Sequence, residues 1–332
     1  MCSKSSAESP QKRNARRTSR HYVPLTQCLV RVTLAATMTI PISTKKIIIG
    51  AIVIVAIIVA VFVFSNSPKP TPVPTPVATT AAQPVHTVIG HSVQGRAIDA
   101  YSYGNGPAQL LFVGGIHGGY EWNSVLLAYT FMDYLSANPT FIPANETITV
   151  VPSANPDAVF KVVGKEGRFV ASDVATNTEL LASARFNADN VDLNRNFDCK
   201  WQPKSTWQSK MVSGGSAAFS EPEAQAIRDY ALEIKPAAAI FWHSQADAVY
   251  ASQCLKGILP VTLDIMNTYA SAAGYPAVKT FDAYTTTGAA DDWLSTQNIP
   301  AITVELKTHD TIEWDQNLKG ITALVGYFGD KK

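Results

Sequence analysis

At 332 residues, with 46% hydrophobic and 16% charged positions, the chain has the size of one large domain or two average ones and the composition of a globular protein with one strongly apolar segment. Its net charge of +1 hides a split: residues 1–46 carry nine Lys or Arg against one Glu, which leaves 18 basic and 25 acidic residues for the rest. An acidic folded portion argues against nucleic acid as a partner, because polyanions attract clustered basic surface.

In chain order, residues 1–46 read as a basic cytoplasmic tail without periodicity, hence disordered, and Met1 and Met38 both remain candidate starts. Residues 47–64, Ile47 to Phe64, are uncharged and contain one Gly and no Pro, the pattern of a transmembrane signal anchor. Lysines precede the run, so the N-terminus is expected in the cytoplasm and the rest outside it, on a single-pass membrane protein. A cleaved signal peptide is the competing reading, although Phe62-Val-Phe-Ser-Asn-Ser offers no good small-x-small cleavage site. Residues 65–84 alternate Pro with Thr and Val, an extended and semi-rigid linker.

The catalytic domain is expected over 85–332. Strand-like apolar runs fall at Gln109–Val113, Thr147–Val151, Ala238–Trp242 and Ala301–Val304; helical patterns fall at Ser124–Ser136, Glu221–Ile234, Val261–Ala273 and Ala290–Gln297. Such alternation predicts an α/β fold, a mixed, largely parallel twisted sheet with helices on both faces. Ligands in such folds gather at the carboxyl ends of strands.

The organising stretch is Gly114-Gly-Ile-His117-Gly-Gly-Tyr-Glu121-Trp-Asn123, between a strand and a helix. Glycines let the backbone turn tightly there and free His117 and Glu121 to converge, and imidazole and carboxylate are both zinc ligand types. His243 ends another strand, and of the domain's five histidines only His117 and His243 sit at strand ends beside Gly or Ser. Glu305 closes Ile302-Thr303-Val304. Between them, Arg185 to Asp198 gathers Arg185, Asp192, Asn194, Arg195 and Asn196. Guanidinium forks bind carboxylates and stabilise oxyanions. Of four cysteines, Cys199 and Cys254 fall in the domain; one disulfide and two buried thiols are both open readings, the disulfide following if the domain is exported.

The order His117, Glu121, Arg185, Asn194-Arg195, His243-Ser244, Tyr284, Glu305 resembles that of the zinc carboxypeptidases, the M14 metallopeptidases. Ile89-Gly-His-Ser-Val-Gln-Gly-Arg96 and Asn155-Pro-Asp157 fit the same family, and Asp192-Leu-Asn-Arg-Asn-Phe197 is the most specific match. The resemblance implies one Zn2+ held by His117, Glu121 and His243, with Arg185 polarising the scissile carbonyl and Glu305 as general base. It further implies that Asn194 and Arg195 grip the substrate's terminal carboxylate while Tyr284 closes over it. The family usually spaces its first ligands His-x-x-Glu, whereas this chain has one residue more, which a glycine loop absorbs by bulging. Aligned on Tyr284, Gly288 and Trp293, Asp291 falls at the base of the side-chain pocket, where an acidic residue resembles members that remove Lys or Arg; the alternative is that Asp291 caps the helix that follows.

The expected activity is thus a zinc metallocarboxypeptidase acting on peptides or peptidoglycan-derived peptides, as a monomer. Its rivals are a murein-peptide amidase, a deacylase of N-acyl amino acids, and a catalytically silent, membrane-tethered binding module.

Overall fold

The computed structural model describes residues 42–65 and 83–330. The expected tail up to residue 41 and the proline-rich linker over 66–82 lie outside the described residues. The chain divides into two units, Met1–Pro76 and Val77–Lys332.

In the first unit, Ile42–Ser65 forms a single helix, α1. Among the described residues no helix is long and apolar enough to cross a membrane. The span expected over 47–64 is therefore not borne out among the described residues.

The second unit opens with a hairpin, β1 (Val85–His91) and β2 (Ala97–Gly104), followed by β3 (Ala108–Val113). Helix α2 (Trp122–Ala137) leads to β4 (Glu146–Val151) and the short helices α3 (Pro156–Val163) and α4 (Thr178–Ser183). A small separate ribbon, β5 (Lys204–Trp207) and β6 (Lys210–Ser213), precedes α5 (Pro222–Ile234). Then come β7 (Ala238–Ser244), β8 (Ala248–Ala251), α6 (Pro260–Ala273) and β9 (Ala277–Val278). The unit ends with α7 (Ala290–Thr296), β10 (Ala301–Leu306) and α8 (Trp314–Gly329).

Eight strands form one sheet in the order β1-β2-β4-β3-β7-β10-β8-β9. The central four, β4, β3, β7 and β10, run parallel, and β2 and β8 flank them antiparallel. The mixed, largely parallel sheet is as expected. Every residue of β4 and β7 is buried, as strands covered on both faces must be. Alternate side chains separate into two cores. On one face Leu110, Phe112, Ile240 and Trp242 pack with α2, α6 and α8 through Phe131, Tyr269 and Leu324. On the other, Leu111, Val113, Ala239 and Phe241 pack with α5 and α7 through Ile227 and Trp293. At about 25 cal/mol per Å2 of apolar surface buried, these two layers dominate the stability of the unit.

The glycine turn after β3 is dictated by packing. Gly115 and Gly118 have φ of +65° and +47°, and a Cβ on Gly118 would stand 2.3 Å from the Ala158 Cβ. A substitution at Gly118 would be strained by its backbone and would clash with α3. One disulfide, Cys199–Cys254, closes a sequence separation of 55 with its Cα atoms 6.0 Å apart.

Candidate functional site

The register of the parallel strands builds the site. Glu305 on β10 pairs with His243 on β7, and His117 follows β3, the next strand over. All three therefore emerge near the carboxyl ends of neighbouring strands, where parallel sheets place their ligands. Glu121 arrives from the other direction, at the end of the 3-10 turn Gly118–Glu121 that leads into α2. That turn holds the residue by which the His117–Glu121 spacing exceeds the family's, and Glu121 still reaches the centre.

Three buried donors meet there. Glu121 Oε1 lies 2.8 Å from His117 Nδ1, Glu121 Oε2 lies 3.0 Å from His243 Nδ1, and the two Nδ1 atoms are 3.1 Å apart. Metal-ligand atoms of His117, Glu121 and His243 all fall within 4.8 Å of one another. This set fits zinc. Two nitrogens bound at 2.0–2.1 Å in a tetrahedral site stand about 3.3 Å apart, close to the separation found. Burial alone would raise the Glu121 carboxyl, but His117 and His243 outweigh it and hold it well below the ordinary range. Reciprocally, burial would lower His243, and Glu121 raises it.

Asp192, which heads the Asp192–Phe197 match in the sequence but has no role assigned there, is the residue that ties the site together. Its Oδ1 lies 3.3 Å from His117 Nε2, and its Oδ2 accepts bonds of 2.9 Å from Arg185 Nε and Nη2. Burial works to raise the Asp192 carboxyl, but Arg185, Arg195 and His117 hold it far below its usual value. A carboxylate on the outer nitrogen of a ligand histidine fixes the ring and its tautomer. Arg185 also reaches to 3.6 Å from Glu121 and stacks on Trp207 at 4.6 Å.

One cavity of about 310 Å3 contains this centre together with Glu305, Asn194, Arg195, Tyr284 and Asp291. All nine residues singled out in the sequence therefore come together. Burial pushes the Glu305 carboxyl up to about 7, against the opposing charge of His243. Asn194 Oδ1 accepts the Ala290 N–H at 2.8 Å, so the first backbone donor of α7 is tied to it. Arg195 donates to the Thr206 and Asn194 carbonyls. Tyr284 rests edge-on against Phe281 at 4.8 Å.

Asp291 is not the cap of α7. The cap position belongs to Ala289, which gives no side-chain bond, and Asp291 stands in the first turn with its Oδ2 accepting from Thr303 Oγ1 at 3.1 Å. Its neighbour Asp292 accepts the Gln253 N–H at 2.8 Å, and burial followed by repulsion from Asp291 pushes the Asp292 carboxyl up to about 8.

Tyr120 and His309 also line the cavity and escaped the sequence reading. His309 gave no signal because it lies in a polar loop beyond β10 rather than at a strand end. Its role in the structure follows from a chain of bonds. Asn123 Nδ2 donates to the Thr308 and Thr311 carbonyls, at 2.7 and 2.8 Å. This fixes the amide so that its Oδ1 accepts from Ser244 Oγ at 3.0 Å. The single hydroxyl proton of Ser244 is thereby spent, and the 2.6 Å contact with His309 Nδ1 is a bond donated by the imidazole. His309 is locked in place against Tyr120, ring centroids 4.5 Å apart.

With this geometry established, comparison with known proteins is informative. The family model for zinc carboxypeptidases, Peptidase_M14, matches residues 77–320. A curated relative, the gamma-D-glutamyl-L-diamino acid endopeptidase 1 of Lysinibacillus sphaericus, is 26% identical over 243 residues, covering 66% of this chain and 60% of that protein. The chain thus spans less than two thirds of that relative's length. Among solved structures, a murein-tripeptide amidase from Escherichia coli O157 superposes with a TM-score of 0.52 at 21% identity, over 78% of this chain and 98% of that one. The carboxypeptidase A of Helicoverpa armigera gives a TM-score of 0.58 at 20% identity, over 74% of this chain and 68% of that one. At such identities these two likenesses establish the fold.

Proposed function

The chain belongs to the zinc carboxypeptidase family, the M14 peptidases, and from that premise we propose that it is a metallocarboxypeptidase that removes a C-terminal residue with a cationic side chain. The observation that carries this reading is the single cavity in which the three metal donors, Glu305, Asn194, Arg195 and Asp291 meet. When bound by His117, Glu121 and His243, zinc supplies a Lewis acid that lowers the pKa of water towards roughly 7 and polarises a carbonyl.

The protein's own groups do the rest. Arg195 and the free amide nitrogen of Asn194 grip the terminal carboxylate, and the guanidinium restricts the enzyme to chain ends. Glu305 takes the proton of the attacking water as its oxygen joins the scissile carbonyl carbon. Arg185, aligned by Asp192, donates to the oxygen on which negative charge collects. As the carbon–nitrogen bond breaks, Glu305 returns the proton to the leaving amine. Tyr284 covers the bound residue. Asp291, inside the cavity and bonded so far only through Thr303 among side chains, accepts the cationic side chain.

A second reading has its own support. The same carboxylate suits the side-chain amino group of a diamino acid, and one relative acts as a gamma-D-glutamyl-L-diamino acid endopeptidase. On this reading the enzyme is a murein-peptide amidase. We also propose that the catalytic unit works outside the cytoplasm. The Cys199–Cys254 bridge, which persists in oxidising compartments, supports this.

The test is a substrate panel offered to zinc-loaded protein: peptides ending in Lys, Arg, Leu or Glu, and a γ-D-glutamyl-diaminopimelate peptide. Hydrolysis of the Lys and Arg peptides well above Leu supports the carboxypeptidase. Selective hydrolysis of the diaminopimelate peptide replaces it with the amidase, and preference for Glu refutes both.

A further inference from the structure

Trp207 is 6% exposed, yet it belongs to none of the hydrophobic clusters that build the fold. It sits on β5, in the small ribbon that stands apart from the main sheet. The groups that cover it belong to the site. Its ring carries the Arg185 guanidinium at 4.6 Å and meets Tyr120 edge-on at 5.1 Å and Phe186 at 6.1 Å. The Lys210 ammonium lies 5.3 Å from the same ring. An indole buried against cations and aromatic edges, outside both cores, is a platform rather than a core residue.

The ribbon is also tied to the residue that grips Arg185 from the side. Ser213, at the end of β6, accepts the Asp192 N–H at 3.0 Å. Asp192 Oδ2 in turn accepts from Arg185 Nε and Nη2, both at 2.9 Å. Two bonds to one oxygen fix an edge of a guanidinium but leave its plane free to tilt about that oxygen. An aromatic face laid against the plane removes the tilt, and the attraction between cation and ring quadrupole holds the two together. With edge and plane both set, the nitrogen left over, Nη1, lies 3.6 Å from Glu121 Oε1, one of the metal donors. The same ribbon supplies the Thr206 carbonyl, which accepts from Arg195 Nε and Nη2 at 3.2 and 3.1 Å. Both arginines of the cavity thus rest on it.

We propose that Trp207 is a positioning residue acting through Arg185, whose guanidinium plane it holds so that Nη1 is aimed at the oxygen on which negative charge collects. This rests on the hydrolytic reading above. Because that charge develops only on the way to the transition state, the stack contributes to turnover and little to the binding of uncharged substrate.

The experiment uses the zinc-loaded full chain and its Trp207→Leu and Trp207→Phe variants, each with and without Arg185→Ala. Two quantities are read. One is the pair kcat and KM on the best peptide of the panel. The other is Kd for a phosphonate analogue of that peptide, whose tetrahedral phosphorus presents an anionic oxygen. Trp207→Leu is expected to lower kcat by about 3- to 30-fold, the range of a face-on cation contact, with KM within about 2-fold. Phosphonate binding should weaken by a similar factor, and Trp207→Phe, which keeps an aromatic face, should recover most of both losses. In the Arg185→Ala background neither change at Trp207 should move the phosphonate Kd, because the group it acts through is gone. Equal weakening with and without Arg185 would make Trp207 a wall of the cavity, and a rise in KM alone would make it a substrate contact. No change would leave the stack idle, and a collapse of Tm or zinc content would make it structural. Each of these results overturns the inference and leaves the hydrolytic reading standing. If the unsubstituted protein turns over no member of the panel, the hydrolytic reading fails first and this inference with it.

Discussion

Glu305, partly buried, and Asp291, buried, are carboxyls with different neighbours, and the difference assigns their tasks. Glu305 faces the metal donors, and burial lifts it to about 7. A carboxyl raised in this way accepts a proton only above its own pKa, so kcat/KM should rise with pH through about 7 and level off above it. A bound dication lowers nearby carboxyls and moves that limb further to the acid side. Changing Glu305 to Gln should cost about 100-fold or more in kcat while zinc content stays the same; retained turnover would take Glu305 out of the mechanism. Asp291 touches Thr303 instead, in the turn of α7 that Ala289 caps. Its change to Ala should abolish the preference for Lys or Arg over Leu, measured as a ratio of kcat/KM, and leave Tm nearly unmoved. A preserved ratio with a lowered Tm would return Asp291 to a structural role.

Elements carry two further expectations. The disulfide joins the loop after the Asp192–Phe197 segment to the one after β8, whose Gln253 N–H holds Asp292. A closed loop of 55 residues is worth about 4 kcal/mol by loss of unfolded-chain entropy. Replacing both cysteines with Ser should lower the midpoint of denaturant unfolding accordingly, and an unchanged midpoint would show the bridge to be idle. At the start of β4, Glu146 is fully buried with neither oxygen bonded among the described residues, and burial pushes its carboxyl up to about 7. Above an ordinary carboxyl pKa the folded form holds a proton that the unfolded chain releases. Stability from this group is therefore present at low pH and lost as pH rises through about 7. Glu146→Gln should raise Tm at pH 8 and leave it nearly unchanged at pH 5; the opposite pattern would mean that Glu146 has a partner in solution.

At the same scale, the elements legible in sequence were those buried on both faces or strongly periodic. β3, β4, β7 and β10 read as short apolar runs because helices cover both sides of them. The edge hairpin β1–β2 escaped, since β1 is largely exposed and β2 offers no continuous apolar run, only Ile98 and Ala100 on one face and Tyr101 and Tyr103 on the other. α8 escaped for another reason. Gly320 interrupts its helical signal, yet a Cβ there would stand 2.5 Å from the Tyr269 ring, so close packing between α6 and α8 overrides propensity. The site was legible because its ligands terminate strands. Tyr120 and His309 were not, because their positions depend on contacts between loops far apart in sequence, which no local pattern encodes.

For the whole molecule, the two cores on either face of the sheet contain none of the metal donors. The fold should therefore survive without metal. Chelation is expected to abolish hydrolysis and lower Tm, with far-UV circular dichroism retained and activity restored by added zinc. Collapse of the secondary structure on chelation would instead make the metal part of the fold. The central claim, that His117, Glu121 and His243 hold one zinc in the cavity shared with Glu305, is tested most directly by zinc-edge anomalous diffraction from crystals of the zinc-loaded protein. The predicted result is a single strong peak about 2.0–2.2 Å from His117 Nδ1, His243 Nδ1 and a Glu121 oxygen. A peak coordinated by another set of residues, with Glu121 turned away, would contradict it.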